Sequence, residues 1–509
     1  MARLDRLGRA RQVLQHAAVI GRHFSRRQLR AASGLGEELI AEGLQRGVEA
    51  HLLRPVDERR EAFAFRHALL RDAAYASLLR SARQAAHARV ADAILAEDPG
   101  QARRQPELLA HHYTEAGQAQ PAIAQWLAAA RLALSRSACV EAAAHARAGL
   151  GLLGDPGDSL AALALELELR LVLAPALMAV RGVLDTEVEH DYSRARLLCE
   201  RLGNGPKMLV PLWGLWAYEL MRGEITHAQG VARQLQALAD SSPHPVRALV
   251  AAATNGMTLF YRGELRSARA ECAKGLGQVR LPPADGAAGR GVHDPGVMCH
   301  AFHTLACWLL GDDAAAAEGA ASLRAGIAAL PPFDAAYAWC SEALLHVLAG
   351  DAQAACDASQ RAIAIGREQA FPAWQMMGAM MQGWGRARQG ETAPGLAQMQ
   401  RGFEAWCTSG ARNLRPFFLA LLADAWLVHG DAEQALGCTK LGLAEAATGE
   451  HCWDPELHRL RAEALARRGE SGAALESARH AVAAAERMEA RAWIPRTNET
   501  LARLQQQAP

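Results

Sequence analysis

Apolar residues in the C-terminal half of the chain recur at the three- and four-residue spacing of one helix face. In the stretch 419–446, Leu422 and Trp426 lie four positions apart, and Leu436 and Leu443 lie seven apart. The stretch 462–485 shows the same kind of spacing. This pattern predicts amphipathic helices that each bury one apolar stripe.

A short phrase separates these helices at a nearly constant interval. Each phrase begins with a glycine and an acidic residue and has a small residue four positions after the acid. The glycines are spaced by 40, 48, 39, 40, 40 and 39 residues. A fixed step of this size is typical of a solenoid of repeated helical units. The glycines are Gly223, Gly263, Gly311, Gly350, Gly390, Gly430 and Gly469.

The phrase predicts a helical hairpin. A glycine inside a helix costs about 1 kcal/mol relative to alanine, so a glycine that returns on schedule should end a helix with positive φ. The acid should lie in the first turn of the next helix, where its charge complements the helix dipole. An upstream stretch, 111–134, carries Gly117 and Ala122 at the same places. The 48-residue step contains the Pro- and Gly-rich stretch 281–296, which predicts a long loop.

The first 95 residues have a different pattern. Helical stretches near 4–18, 25–32 and 36–48 precede two short apolar segments, 51–55 and 62–66. Three helices followed by a small hairpin are the outline of a winged helix. The predicted fold is therefore all-α, a TPR-like helical-hairpin solenoid with repeats of about 40 residues after a small winged-helix-like domain. The predicted divisions are a docking domain at 1–95, a helical connector with degenerate repeats at 96–200 and a superhelical array at 201–500.

Composition and charge narrow the class of protein. Half of the residues are apolar and 5% are aromatic, which favours helix over strand. The net charge of +1 gives no overall field toward nucleic acid or membrane, although the first 90 residues carry 17 arginines against 9 acidic residues. The ten cysteines occur singly without a C-x-x-C pair, which indicates reduced thiols. With no stretch typical of a signal peptide or membrane span, we expect a soluble cytoplasmic protein.

The segment 65–80 brings together side chains that can carry out acid–base chemistry. Read as a helix from about residue 65, it places His67 and Arg71 on one face, and Arg71 and Tyr75 as well. No nucleophile oriented by a base accompanies them, and a wide apolar stripe runs beside them. The segment is therefore interpreted as a docking helix with His67, Arg71 and Tyr75 on its polar flank.

Other candidate sites for metal or nucleotide are weak. Cys299, His303 and Cys307 lie at i, i+4 and i+8, but they would need His293 or His300 to complete a tetrahedral site. His111 and His112 should point in different directions on a helix. No G-x-x-x-x-G-K-[ST] sequence occurs. We therefore expect no metal, no cofactor and no catalytic residue, and predict that the chain is not an enzyme.

Two macromolecular partners can be weighed from the sequence. The helix 36–47 would enter a DNA groove in a winged helix, but it carries Glu37, Glu38 and Glu42, so nucleic acid is an unfavoured partner. A protein or peptide partner is favoured, because the first helix of each hairpin carries tryptophans that could anchor it on a concave surface; the competing interpretation is core packing. The candidate groove residues are Trp213, Trp216, Trp308, Trp384 and Trp426.

Eight stretches of the chain, taken together, resemble a known family. The stretches 17–25, 65–79 and 106–117 resemble the junction that follows an ATPase core, and 192–203, 211–224, 294–299, 383–391 and 454–465 resemble a helical arm. The family is that of large bacterial signalling proteins in which a class III adenylate cyclase or Ser/Thr kinase domain is joined to a STAND-type predicted ATPase, a winged helix and a TPR-like arm. The resemblance extends over nearly the whole chain.

The resemblance implies fold and context rather than an activity. The cyclase metal-binding carboxylates, the kinase loop and the Walker lysine of the family would all lie before Met1, so none is assigned to this chain. His300 and His303 stand where such arms usually carry apolar residues. The C-terminal stretch 501–509 is expected to leave no room for an appended DNA-binding domain.

These observations lead to one functional hypothesis with two alternatives. We predict a non-catalytic interaction and regulatory scaffold whose TPR-like arm senses a protein partner and modulates an ATPase or adenylate cyclase module, in cis or in trans. The first alternative is the truncated tail of a multidomain ATP-binding adenylate cyclase or kinase-type enzyme. The second is a winged-helix transcription regulator.

Overall fold

The computed structural model describes residues 8–59, 61–97, 99–136, 138–155, 157–241, 244–277 and 294–507. Within these ranges the chain forms 26 α-helices and three short strands. It divides into two compact units, Met1–Ala176 and Leu177–Pro509, called here the N-terminal and C-terminal units. The boundary falls next to Pro175, inside a helix of the predicted connector at 96–200. None of the described helices is both long enough and apolar enough to cross a membrane.

The N-terminal unit begins with helices and strands and continues with helices alone. Its strands are β1 (His23–Ser25), β2 (Leu53–Pro55) and β3 (Ala62–Phe65). Its helices are α1 (Arg11–Ile20), α2 (Arg26–Ser33), α3 (Glu37–Glu49), α4 (Ala68–Ala76), α5 (Arg80–Glu97), α6 (Pro99–Arg104), α7 (Pro106–Glu115), α8 (Ala119–Ser135), α9 (Cys139–Leu153) and α10 (Leu160–Arg181), the last containing the unit boundary.

The domain predicted at 1–95 is called here the head. The three helices and the hairpin that the sequence predicts for the head are present. The strands form an antiparallel sheet in the order β1-β3-β2, with Phe24 of β1 opposite Phe63 of β3. The rings of these two residues stack with centroids 6.1 Å apart. Strand β1 was not predicted, because it is only three residues long and leads directly into α2, where the Ser25 hydroxyl accepts a hydrogen bond from the Gln28 backbone N–H.

The C-terminal unit consists of helical hairpins in sequence order, preceded by α11. Consecutive helices pack against each other along the whole array. Its helices are α11 (Thr186–Arg201), α12 (Leu209–Met221), α13 (Ile225–Ser241), α14 (Pro245–Tyr261), α15 (Leu265–Leu276), α16 (Pro295–Leu309), α17 (Asp313–Gly326), α18 (Pro332–Ala349), α19 (Ala352–Glu368), α20 (Pro372–Arg388), α21 (Thr392–Thr408), α22 (Arg415–His429), α23 (Ala432–Ala446), α24 (Asp454–Arg467), α25 (Ser471–Arg487) and α26 (Ile494–Gln507).

The periodic glycines end the first helix of each hairpin, as predicted. All seven have φ between +75° and +98°, and Gly117 of the upstream stretch has φ of +74°. The small residue that follows is buried in every repeat, which lets the two helices of a hairpin approach closely. These buried small residues are Ala228, Ala268, Ala316, Ala355, Gly395, Ala435 and Ala474. The prediction of an all-α, TPR-like array is therefore confirmed.

The acid of each phrase has a different role from the one predicted. In all seven repeats it is the residue that precedes the helix rather than a residue of its first turn. The aspartates at 312, 351 and 431 accept a hydrogen bond from the backbone N–H three positions later. The glutamates at 264, 391 and 470 make no such bond. The shorter side chain suits the N-cap, where an oxygen must reach back to the first turn.

The array contacts itself about 190 residues further along the chain. The backbone N–H groups of Arg412, Cys452 and Ala492 donate to the carbonyl oxygens of Met221, Tyr261 and Leu309, at 2.8, 3.0 and 3.1 Å. Each acceptor ends the first helix of a hairpin. Arg412 and Cys452 lie in loops between later hairpins, and Ala492 lies between the last hairpin and α26. The first three hairpins are thus joined to the last three. The predicted long loop at 281–296 lies mostly outside the described residues, which resume at Asp294.

Candidate functional site

The C-terminal unit contains a pocket of about 690 Å³. It lies on the first helices of the last four hairpins, α18, α20, α22 and α24, and on α26. Its volume is in the usual range of ligand pockets, roughly 300–1,000 Å³. The lining residues are Val347, Gly350, Trp384, Arg388, Asp424, Leu427, Val428, Arg459, Leu460, Glu463, Ala466, Arg467, Arg496, Arg503 and Gln507.

The pocket, called here the arginine pocket, carries an excess of positive charge. Five arginines line it, and three carboxylates lie among them: Asp424 and Glu463 in the lining and Glu456 in contact with Arg459. Five positive against three negative charges leave an excess of two. Arginine guanidinium groups bind carboxylates and phosphates through two parallel N–H donors, so the excess favours an anionic ligand.

One wall of the arginine pocket is held by a buried ion network. Arg459 donates to both carboxylate oxygens of Glu456, at 2.9 and 2.6 Å, and Arg496 donates to one of them at 2.6 Å. Burial alone would raise the pKa of Glu456, but the two guanidinium groups lower it to about 2. Glu456 therefore stays ionised at neutral pH, and the network keeps Arg459 in position.

The other arginines are held by neighbouring hairpins. Arg388 lies 3.7 Å from Asp424, which also accepts a hydrogen bond from the Trp384 indole N–H at 2.8 Å. Arg503 donates to Glu463, and Arg467 donates to the backbone carbonyl of Leu427. The Arg388 and Arg503 side chains are still 44% and 42% exposed, so both can reach a ligand.

These side chains are connected by contacts between residues 40 positions apart. This spacing is the sequence signal for the pocket that was missed. The bonded pairs Trp384–Asp424, Glu456–Arg496 and Glu463–Arg503 each join residues 40 positions apart. Because neighbouring hairpins repeat with that step, equivalent positions of consecutive first helices lie side by side. Aligning the repeats by their glycines would have placed the two residues of each pair at equivalent positions.

The structure does not place the candidate groove tryptophans on an exposed surface. Trp216 is 3% exposed and its indole donates to the Thr258 hydroxyl, and Trp384 is 5% exposed. The other three are partly buried and pack against the core. The interpretation of Trp216 and Trp384 as exposed anchors is therefore wrong, because both side chains fill the space between first helices. Trp384 contributes to the arginine pocket through its hydrogen bond to Asp424. The partly buried tryptophans are Trp213, Trp308 and Trp426.

The docking-helix residues do not share one helix face. Helix α4 begins at Ala68, and His67 precedes it with extended backbone, so His67 is not on the helix. Arg71 forms an ion pair with Asp72 at 2.5 Å. Tyr75, four residues later on the same helix, contacts His87 of α5 and Glu115 of α7. The exposed apolar residues of this segment are Leu69 and Leu79, at 80% and 78% exposure.

Tyr75 belongs to a polar chain, centred on the buried His87 and His112, that the sequence did not reveal. Its hydroxyl lies 2.9 Å from Nε2 of His87, and Nδ1 of His87 lies 2.8 Å from Nδ1 of His112. The tyrosine hydroxyl also lies 3.2 Å from Glu115. All contacts are satisfied when His112 donates to His87, His87 donates to Tyr75 and Tyr75 donates to Glu115, with both imidazoles neutral. His111 also lies near His87, so the two adjacent histidines do not point apart as predicted.

The buried histidines make the N-terminal unit sensitive to acid. Burial lowers the pKa of His87 to about 4 and that of His112 to about 3. Both titrate near 6.5 in the unfolded chain, so below that pH the unfolded state binds protons that the folded state does not. We expect the free energy of opening in 75–115 to fall by about 2 kcal/mol between about pH 6 and pH 5. Hydrogen–deuterium exchange of peptides from this segment measures it.

The matched control for this prediction is the double variant H87Q/H112Q. Comparing the two proteins at the same pH cancels the intrinsic pH dependence of amide exchange. The variant should show a clearly weaker acid destabilisation, since neither glutamine titrates. Equal pH dependence in both proteins would contradict the assignment of the effect to this pair.

The other sequence candidates are not brought together as a site. Cys299 lies against Gly275 in the core, whereas His303 contacts Cys307 with its ring nitrogens 3.7 and 3.8 Å from the sulfur. His293 lies outside the described residues. In the described ranges no group of three or more His, Cys, Asp or Glu side chains could hold a metal ion. On the head, Arg26 of α2 is paired with Glu37 of α3, which reduces the positive charge near the helix that would enter DNA.

Comparison with known proteins gives one curated relative. The chain matches no protein-family model. Over 476 residues it is 25% identical to an uncharacterised protein of Rhizobium meliloti (strain 1021), and the match covers 92% of this chain and 46% of that protein. The chain thus spans about half the length of the curated relative that it matches.

Comparison with solved structures concerns the fold. The chain is similar to a Rap protein complexed with competence and sporulation factor, with a TM-score of 0.51 and 12% identity over 72% of this chain and 98% of that one. It is also similar to a STAND protein with a tetratricopeptide repeat sensor from Pyrococcus horikoshii, with a TM-score of 0.37 and 10% identity over 92% of this chain and 63% of that one. The first likeness agrees with the helical-repeat fold. The fusion to a cyclase or kinase domain stays a prediction.

Proposed function

We propose that this chain is a non-catalytic interaction and regulatory scaffold. Its helical array binds a protein partner at the arginine pocket, and its head docks on an ATPase or adenylate cyclase module whose state it modulates, in cis or in trans. The observation that carries the proposal is the arginine pocket, a concave and positively charged surface built from the first helices of consecutive hairpins. Repeat arrays use surfaces of this kind to bind extended segments of other proteins.

The head supports the docking part of the proposal. Leu69 and Leu79 are the most exposed large apolar residues of the described head, and Arg71 lies on the same helix as Leu69. Exposed large apolar side chains that lie together mark protein interfaces, so these two leucines are the residues of the head that the docking proposal names. A Rap protein complexed with a factor has the same type of fold, which agrees with a binding role for such arrays.

The proposal is tested with the purified full chain. We expect no release of phosphate from ATP and no formation of cyclic AMP by the chain alone. The part of the Rhizobium meliloti relative outside the matched region is then expressed separately and assayed for both activities. Addition of the chain should change its rate. ATP hydrolysis or cyclic AMP formation by the chain alone would contradict the proposal and favour an enzyme.

A further inference from the structure

The arginine pocket combines charge with an apolar border in a way that specifies its ligand. Val428, which is 42% exposed, lines it beside the five arginines, whereas Val347, Leu427 and Leu460 are buried behind the surface. An exposed apolar side chain next to guanidinium groups suits a chain that carries both apolar and acidic side chains. A ligand that consists of phosphate alone would leave Val428 without a contact.

The position of the pocket on its helices also argues against a compact phosphate. Arg388, Arg467 and Gln507 are the last residues of α20, α24 and α26. Many phosphate sites use helix N-termini, where free backbone N–H groups point at the anion. At these C-terminal ends the helix dipole is negative, and only the long arginine side chains carry positive charge to the ligand. Arginine forks reaching outward match separate carboxylates spaced along a peptide.

We propose that the arginine pocket binds an extended acidic peptide segment of a partner protein, with its carboxylates on Arg388, Arg467 and Arg503 and an apolar side chain on Val428. This proposal rests on the proposed function and names the chemistry of the partner. The carboxylates of the ligand balance the two excess positive charges of the pocket. Asp424 and Glu463 pair with Arg388 and Arg503 and compete with the ligand for them, which limits the number of acidic residues that the pocket accepts.

The experiment measures binding of a fluorescent peptide of alternating glutamate and leucine to the full chain by anisotropy. A peptide of alternating glutamine and leucine is the matched probe. We expect the glutamate peptide to bind and the glutamine peptide to bind at least about tenfold more weakly, with an affinity that falls as salt is raised. Inorganic phosphate and ATP should not displace the bound peptide at concentrations where free glutamate peptide does.

Variants assign the binding to the pocket. R388Q/R503Q should weaken binding at least about tenfold, since interface arginines are frequent hot spots. R233Q/R479Q removes the same charge from exposed positions elsewhere on the array and should bind as the wild type does. E463Q adds to the excess positive charge and should tighten binding, an effect that misfolding cannot produce.

The outcomes separate this inference from the proposed function. Equal binding of the two peptides, unchanged binding by R388Q/R503Q, or weaker binding by E463Q would overturn the acidic-peptide assignment. Displacement by ATP or phosphate at low concentration would assign the pocket to a phosphorylated small molecule instead and would also overturn it. The first three results leave the non-catalytic scaffold role intact, whereas assignment to a phosphorylated small molecule would also remove the arginine pocket as the protein-binding site of that role. Catalysis by the chain alone would overturn the scaffold and leave the binding result unchanged.

Discussion

Replacing Trp453 with alanine will destabilise the C-terminal unit by about 4 kcal/mol, the usual range for truncating a buried aromatic side chain. Trp453 is 1% exposed, and its ring lies 4.6 Å from that of Phe417 and 6.2 Å from that of Phe260. It therefore joins the first hairpins of the array to the last ones. Its indole N–H also donates to the buried carboxyl group of Glu450 at 2.8 Å, so the variant leaves that group with one partner fewer.

The measurement is urea-induced unfolding of the full chain followed by circular dichroism. The matched control is Trp426→Ala, which removes the same side chain from a partly buried position on α22 and should cost clearly less. Because Cys452 next to Trp453 donates to Tyr261, we also expect faster amide exchange at the loops around 452 and 261 in the Trp453 variant. Equal destabilisation by the two variants would show that the self-contact of the array contributes little.

Replacing Glu456 with glutamine will destabilise the same unit by about 3 kcal/mol at neutral pH, because it removes the carboxylate that Arg459 and Arg496 share in a largely buried ion network. Glu456 and Arg459 are 14% and 15% exposed, and Arg496 shares the carboxylate. Because glutamine has nearly the same shape as glutamate, the loss of stability measures the effect of removing the charge rather than a change in packing. The arginine pocket should also lose its fixed wall, and Arg459 should become mobile.

The pH dependence gives this prediction a second readout. The pKa of Glu456 is lowered to about 2 in the folded chain, so its stabilising effect is present above the unfolded value near 4.5 and is lost as the pH falls toward 2. Wild type and E456Q should therefore converge in stability over that range. The control is Glu433→Gln on α23, where a 72% exposed carboxylate pairs with Arg468 and the expected loss is about 0.5 kcal/mol. A gap that stays constant down to acid pH would contradict the charge argument.

Much of the array could be predicted because its signals are local. Gly350 and Gly430 end helices with positive φ, and Ala355 and Ala435 are buried four residues after the acid, all readable from one repeat of the sequence. The role of the acid was misjudged at Asp431, because a cap and a first-turn residue differ by one position. Strand β1 was missed for a different reason: its three residues are too few to show the periodicity that distinguishes a strand from a helix.

The candidate site could be predicted only in part. Trp384 was identified, but as an exposed anchor, and its partner Asp424 was not. Tyr75 was identified as a docking residue, yet it bonds to His87, and His87 bonds to His112, 25 residues later. The spacing of these residues does not correspond to a face of any single helix. Their contacts depend on the angle at which α4, α5 and α7 cross.

By itself, the sequence determined the repeating unit of this protein: helix, glycine with positive φ, helix, and a small residue at the contact. Backbone conformation and helix amphipathicity act over a few residues, so a local pattern is sufficient to specify them. Only the tertiary structure decided which side chains are buried between helices and which remain exposed around a pocket. The amount by which each hairpin rotates relative to the last brings residues 40 and about 190 positions apart into contact, which buries Trp453 and Trp216 and leaves Arg388 and Arg503 around a pocket. That rotation is the sum of many side-chain packing contacts, and no short stretch of sequence contains it.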